Sequence, residues 1–207
     1  MIFQNEIEKY LMQVTPERPE VLREMEAYAE EHDFPIVGPL VGRFLYQAAR
    51  MVEARRVLEL GSGFGYSAIW FAMGMGNRGK LTLIDGSEEN RDRAMSYFAR
   101  AELETKVKFK VGDAFEVMKE VDKEFDIVFN DIDKAQYPQT IDPAAFRLRK
   151  GGLFITDNLL WSGRVCEESK DAATRGVVEF TRKLYADERF FTTILPLRDG
   201  VALAVRL

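Results

Sequence analysis

Cysteine is almost missing from this chain of 207 residues: Cys166 is the only one, so no internal disulfide can form. Its acidic neighbours Glu167 and Glu168 also disfavour a thiolate nucleophile there. Histidine is as scarce. His32 stands alone in the N-terminal part with no catalytic partner apparent in the sequence. No apolar stretch reaches the roughly 18–20 residues that a membrane span needs, and the first ten residues carry acids and no apolar signal core. An excess of basic charge is missing too. The formal net charge is −5 and the basic residues are scattered, which argues against a nucleic-acid partner. Together these absences lead us to expect a cytoplasmic protein with neither membrane nor nucleic acid as partner. With 46% hydrophobic and 30% charged residues, the composition is that of a globular domain, and the length suits a single one spanning 1–207.

What is present is an orderly alternation. Residues 3–51 read as helical in two or three pieces, with Val21, Leu22, Met25, Tyr28 and Ala29 at helical spacing. Pro35 and Pro39 break that stretch, because proline disfavours helical backbone in the residue before it. A further helix is expected over 40–51. From residue 55 onward, strands are expected at 56–60, 80–85, 107–111, 125–130, 152–156, 191–196 and 201–206. Helices of about 10 to 15 residues fit between the first five strands, and another fits 172–185. Strand–helix alternation implies a parallel sheet covered on both faces. The last two strands are separated only by Leu197-Arg198-Asp199-Gly200, too short for a parallel crossover, so they must form an antiparallel hairpin. The fold class is therefore α/β: a Rossmann-like, seven-stranded, mostly parallel sheet with a C-terminal antiparallel hairpin and N-terminal helices.

The first strand runs into Glu59-Leu60-Gly61-Ser62-Gly63-Phe64-Gly65-Tyr66-Ser67. Glycines at 61, 63 and 65 leave bare backbone at the carboxyl end of a parallel strand, where a ligand can approach without meeting a Cβ. A dinucleotide fingerprint would need its third glycine at position 66, which is Tyr66. That weakens a nicotinamide oxidoreductase and favours the glycine spacing associated with S-adenosylmethionine.

Each strand end adds a candidate. Asp85 ends the second strand, where its carboxylate can accept from two ribose hydroxyls; Ser87 is the better helix cap there. Asp113, with Ala114 beside it, either caps the next helix or lies near the adenine. The fourth strand ends in Asn130-Asp131-Ile132-Asp133-Lys134 and the fifth in Thr156-Asp157-Asn158. Neighbouring strands would bring Asp131, Asp157 and Asn158 to one rim beside the glycine loop. Two carboxylates and an amide oxygen suit Mg²⁺, Mn²⁺ or Ca²⁺ rather than zinc. Asp133 is read as a helix cap. A lysine ordinarily holds its proton at neutral pH, but burial and a nearby dication weaken that hold, which makes Lys134 a candidate base. Trp161 is either an aromatic wall against a substrate ring or a core tryptophan.

These strings together resemble the cation-dependent, catechol and caffeoyl-CoA type S-adenosylmethionine O-methyltransferases. The likeness runs over residues 35–207 and rests on Val57-Leu58-Glu59-Leu60-Gly61 with Gly65-Tyr66-Ser67, Phe125-Asp126-Ile127-Val128-Phe129, Asp131-Ile132-Asp133-Lys134 with Tyr137, and Asp157-Asn158-Leu159-Leu160-Trp161. The resemblance implies that Val37, Glu59, Gly61, Ser62 and Ser67 contact S-adenosylmethionine, within the turn that Gly65 completes. It further implies that Asp85 binds the ribose, that Asp113 and Ala114 flank the adenine, and that Asp131 stands beside the cofactor. Asp131, Asp157 and Asn158 would bind the metal and Lys134 would be the base. A small-molecule aromatic hydroxyl acceptor is implied, as is a homodimer, with residues 1–51 forming part of the substrate mouth or the dimer interface. Two positions depart from the family pattern: Arg43, where relatives carry glutamine, and Asn130, where an apolar residue is common. The alternatives are a methyltransferase with a non-catechol acceptor and a catalytically inactive S-adenosylmethionine-binding protein.

Overall fold

A computed structural model describes residues 5–121, 124–168 and 171–207; residues 3 and 4 of the expected helical stretch lie outside them. Three helices come first: α1 (Asn5–Val14), α2 (Glu20–Glu31) and α3 (Gly38–Met51). The break between α2 and α3 falls where the prolines put it, and Pro39 sits in the first turn of α3, where its missing N–H costs no helical bond. The strands follow as β1 (Arg56–Leu60), β2 (Lys80–Asp85), β3 (Val107–Val111), β4 (Phe125–Asn130), β5 (Leu148–Thr156), β6 (Phe190–Leu195) and β7 (Val201–Arg206). They form one sheet of order β3-β2-β1-β4-β5-β7-β6. The first five are parallel; β7 runs antiparallel to both β5 and β6. The crossovers are α4 (Tyr66–Gly74), α5 (Glu88–Arg100), α6 (Ala114–Glu120), α7 (Ile141–Arg147) and α8 (Ala172–Ala186).

Alternation along the strands feeds two cores. Val57, Ile127, Phe129, Leu153 and Ile155 face the side covered by α2 to α5. Leu58, Leu60, Val128, Phe154, Ala202 and Ala204 face the side covered by α7 and α8. Helix α4 is buried almost all round, as its sequence YSAIWFAMG requires of a helix wedged between α3 and the sheet. Gly42 of α3 makes that fit possible, since a Cβ there would stand 2.2 Å from the Trp70 indole nitrogen. No helix among the described residues is long and apolar enough to cross a membrane.

Some expected boundaries move. Strand β5 starts at Leu148 rather than 152, because Leu148 pairs with Phe125 across an irregularity in the β4–β5 register. Helices α4, α6 and α7 are shorter than the expected 10 to 15 residues. After β4 the chain does not enter an α-helix directly. It forms a 3-10 helix, Lys134–Thr140, that contains Pro138, whose missing N–H cannot join an α-helical ladder. Lys134 is thus held by a tight 3-10 turn.

Candidate active site

The carboxyl ends of β1, β2, β4 and β5 surround one cavity of about 830 Å³. At the end of β1 the chain turns through Gly61 at φ 78°, and a Cβ there would stand 2.4 Å from the carbonyl oxygen of Asp131. Only glycine allows this approach, which brings the glycine turn into backbone contact with the acid rim beyond β4. Asp85 is fixed before any ligand arrives. It accepts from the Gly63 N–H at 2.9 Å, the Ser87 N–H at 3.0 Å and the Asn90 amide at 3.0 Å. Ser87 caps α5 through the Asn90 N–H, as expected. Asp113 does cap α6, accepting from Phe115 and Glu116, yet it also lines the cavity.

Glu59 lies fully buried beneath the turn. It accepts a bond from the Ser67 hydroxyl through Oε1, while Oε2 has no partner. Burial pushes this carboxyl up to about 8; the charges of Asp131 and Asp85 add to the rise and the Ser67 bond opposes it.

The other end of the cavity holds the acids. Lys134 Nζ donates to Asp131 Oδ1 at 2.6 Å, and Asp131 keeps 24% of its side-chain surface exposed. The buried Tyr137 hydroxyl donates to the Asp157 carbonyl at 3.1 Å and stands 3.4 Å from Asp131 Oδ1. Asp157 is buried, and its Oδ1 has no hydrogen-bond partner. Burial raises the carboxyls of both acids; Asp131 pushes Asp157 further up, whereas Lys134 pulls Asp131 back. Asn158, in left-handed backbone at φ 62°, donates its amide N–H to Asp199 at 3.3 Å and keeps its oxygen as an acceptor. Among the described residues no three acidic, histidine or cysteine side chains cluster closely enough to hold an ion. The candidate set is therefore two carboxylates and one amide. An orphaned, buried carboxylate oxygen beside a second carboxylate is donor chemistry that fits a hard divalent cation.

Val37, Gly61, Ser62, Ser67, Asp85, Asp113 and Ala114 line the cavity at the glycine-turn end, and Asp131, Lys134, Asp157 and Asn158 line it at the acid end. Glu59 and Gly65 stand behind that lining. Trp161 is not part of it either. Its indole N–H donates to Thr174 at 3.1 Å, and the Arg164 guanidinium covers its ring at 4.1 Å. The neighbouring Ser162 reaches the cavity instead. Arg43 is half-buried on α3 and outside the lining. Asn130 is fully buried with both amide atoms unpartnered, paired in register with Thr156, whose hydroxyl is also unpartnered. Asp133 caps the 3-10 turn through the Ala135 N–H.

Sequence reasoning missed Arg198 and Asp199, which it treated only as a connector. Both line the cavity. Asp199 accepts from the Ser162 N–H and from Asn158, and Arg198 donates to the Ile36 carbonyl. Phe34, Pro35 and Ile36 of the α2–α3 break complete that wall.

Comparison with known proteins agrees with this geometry. Residues 12–207 match the model of a family described as O-methyltransferase. A catechol O-methyltransferase of Niastella koreensis is 32% identical over 179 residues, covering 82% of this chain and 81% of its own. Caffeoyl-CoA O-methyltransferase 2 of Populus trichocarpa is 29% identical over 210 residues, covering 94% and 85%. Among solved structures, the O-methyltransferase TomG of Streptomyces achromogenes, in complex with SAM, superposes with a TM-score of 0.89 at 28% identity, covering 98% of this chain and 96% of its own. An O-methyltransferase of Bacillus cereus in complex with SAH gives 0.89 at 28% identity, covering 98% and 97%. The seven-stranded sheet, the glycine turn and the match over nearly the whole chain lead to one conclusion: this chain belongs to the S-adenosylmethionine-dependent O-methyltransferase family, of the caffeoyl-CoA and catechol type.

Proposed function

We propose that this protein moves a methyl group from S-adenosylmethionine to one hydroxyl of a catechol-like small molecule, with help from a divalent cation. The observation that carries the reading is a single cavity with the glycine turn and Asp85 at one end and Asp131, Lys134, Asp157 and Asn158 at the other. Asp85 accepts from the ribose hydroxyls, and the turn at Gly61 to Ser67 receives the methionine part of the donor, with Ser67 in the first turn of α4 where a carboxylate is favoured. Asp113 and Ala114 flank the adenine. The sulfonium supplies the methyl group. Asp131, Asp157 and the Asn158 oxygen would hold the cation, which would supply Lewis-acid stabilisation of the acceptor's ionised hydroxyl.

The remaining work belongs to the chain. Lys134 is placed to receive the acceptor's hydroxyl proton once its own ammonium proton has gone to solvent. Tyr137 braces this arrangement by donating to the Asp157 carbonyl with its hydroxyl oxygen set against Asp131. The walls orient donor and acceptor for in-line attack, so that positioning supplies much of the rate. The test is a methyl-transfer assay over a panel of catechols, with and without EDTA. Activity should vanish with chelation and fall at least about 100-fold in Asp157→Ala, at or beyond the roughly 10- to 100-fold cost of losing a residue that merely supports a ligand. Turnover indifferent to both treatments would remove the cation from the reaction and leave only the family assignment.

A further inference from the structure

The reading of the cavity as a catechol site leaves one of its charges unused. Arg198 stands in the five-residue connection between β6 and β7 and lines the cavity with Leu197 and Asp199, the latter bonded to Asn158 of the acid end. Among the described residues it makes no ion pair. Its bond goes to a neutral group, the Ile36 carbonyl, and its guanidinium lies over Gly38, 3.5 Å from where a Cβ would stand. It is near enough to Asp131 and Asp157 to favour their ionised forms, yet it contacts neither. Its backbone is also awkward. A non-glycine residue at φ 52° is held in left-handed conformation, where its Cβ crowds the following carbonyl. Glycine would relax that turn, as Gly200 does two residues on at φ 86°. A strained position that carries an unpaired cation beside a ligand cavity is one where function has reason to hold the residue in place.

We propose that Arg198 selects acceptors that carry a carboxylate, so that the substrate class is an aromatic ortho-dihydroxy acid. This rests on the catechol reading above. The acid rim engages the diol, and the guanidinium, a planar fork suited to carboxylates, takes the acid group at the cavity wall. Asp131 is bonded by Lys134, Asp199 by Ser162 and Asn158, so an incoming carboxylate meets Arg198 as the cation not contacted by an acid.

The experiment measures binding by calorimetry of 3,4-dihydroxybenzoate and of its methyl ester, with Mg²⁺ and S-adenosylhomocysteine present. The two share the diol and differ in the anion. The intact protein should bind the acid about 10-fold more tightly than the ester, the size of one charge-assisted hydrogen bond. In Arg198→Gly, which relieves the turn and so should fold, that ratio should fall to near one; Arg198→Lys should keep part of it. Equal affinities in the intact protein overturn the proposal, as does failure of both ligands to bind. An equal loss for both ligands in the variants also overturns it, because it would make Arg198 a counter-ion for Asp131 and Asp157. Methyl transfer from S-adenosylmethionine, measured on the same protein preparations without S-adenosylhomocysteine, reports separately on the catechol reading. Arg198-dependent binding without turnover would sink that reading alone, and turnover without acid preference would sink the role of Arg198 alone.

Discussion

At the scale of single residues, Glu59 is the most exposed to test because nothing exposes it to water. Its carboxyl is raised from an ordinary 4.5 to about 8, chiefly by burial. An unfolded chain sheds this proton near the ordinary value, whereas the folded protein keeps it until about 8. Stability should therefore fall as pH rises through that interval and level off above it. Glu59→Gln keeps the shape and a bond to Ser67 but removes the titration. Urea midpoints for the variant should change less between pH 5 and pH 8.5 than those of the unaltered protein. Parallel curves would mean that Glu59 is already ionised in the fold. This residue was singled out in the sequence only by its place in a motif. That it lies behind the cavity wall was not legible, because strand alternation gives a face and not a depth.

At the scale of elements, the decisive contact is between α8 and the 3-10 turn that carries Lys134. A Cβ on Gly176 of α8 would stand 2.2 Å from the Lys134 carbonyl and 2.8 Å from the Ala135 Cα. Alanine favours a helix over glycine by about 1 kcal/mol, but forcing backbone from backbone costs roughly 1–3 kcal/mol or more. The clash should win. Gly176→Ala should lower kcat/KM by on the order of 10- to 100-fold through displacement of Lys134, while S-adenosylhomocysteine affinity changes little. Loss of both together would place the damage in the fold as a whole. The sequence foretold α8 and the lysine but not their contact, since a glycine inside a helical pattern carries no address. The same limit hid Arg198 and Asp199. Five connecting residues have no periodicity, and they reach the rim only because β7 enters the sheet antiparallel beside β5.

At the scale of the molecule, the cavity draws on residues from Glu8 in α1 to Asp199 before β7. A ligand that fills it ties together segments distant in the chain, so binding should resist global unfolding rather than local fraying. S-adenosylhomocysteine at 100 times its Kd should add about 2.7 kcal/mol, or roughly 5–10 °C in Tm for a chain of this size. NAD should add nothing. A shift with NAD alone would contradict the cofactor assignment. The strand positions, the mixed sheet and the acids at its rim could be read in advance because each follows from a short local pattern. The walls contributed by α1 and by the α2–α3 break were expected only through the family resemblance, which put residues 1–51 at the substrate mouth or the dimer interface and Val37 against the cofactor; no local pattern gives them, because they depend on how the helices dock.

The strand order carries a consequence for synthesis. Strand β7 lies between β5 and β6, although it follows both in the chain. On a ribosome, β5 therefore waits with Phe154 and Ile155 along an unpaired edge while α8 and β6 are made, and β6 has no strand to join until residues 201–206 emerge. Any nascent chain stalled before that point presents a bare, apolar sheet edge, the kind of surface that recruits chaperones or other stalled copies.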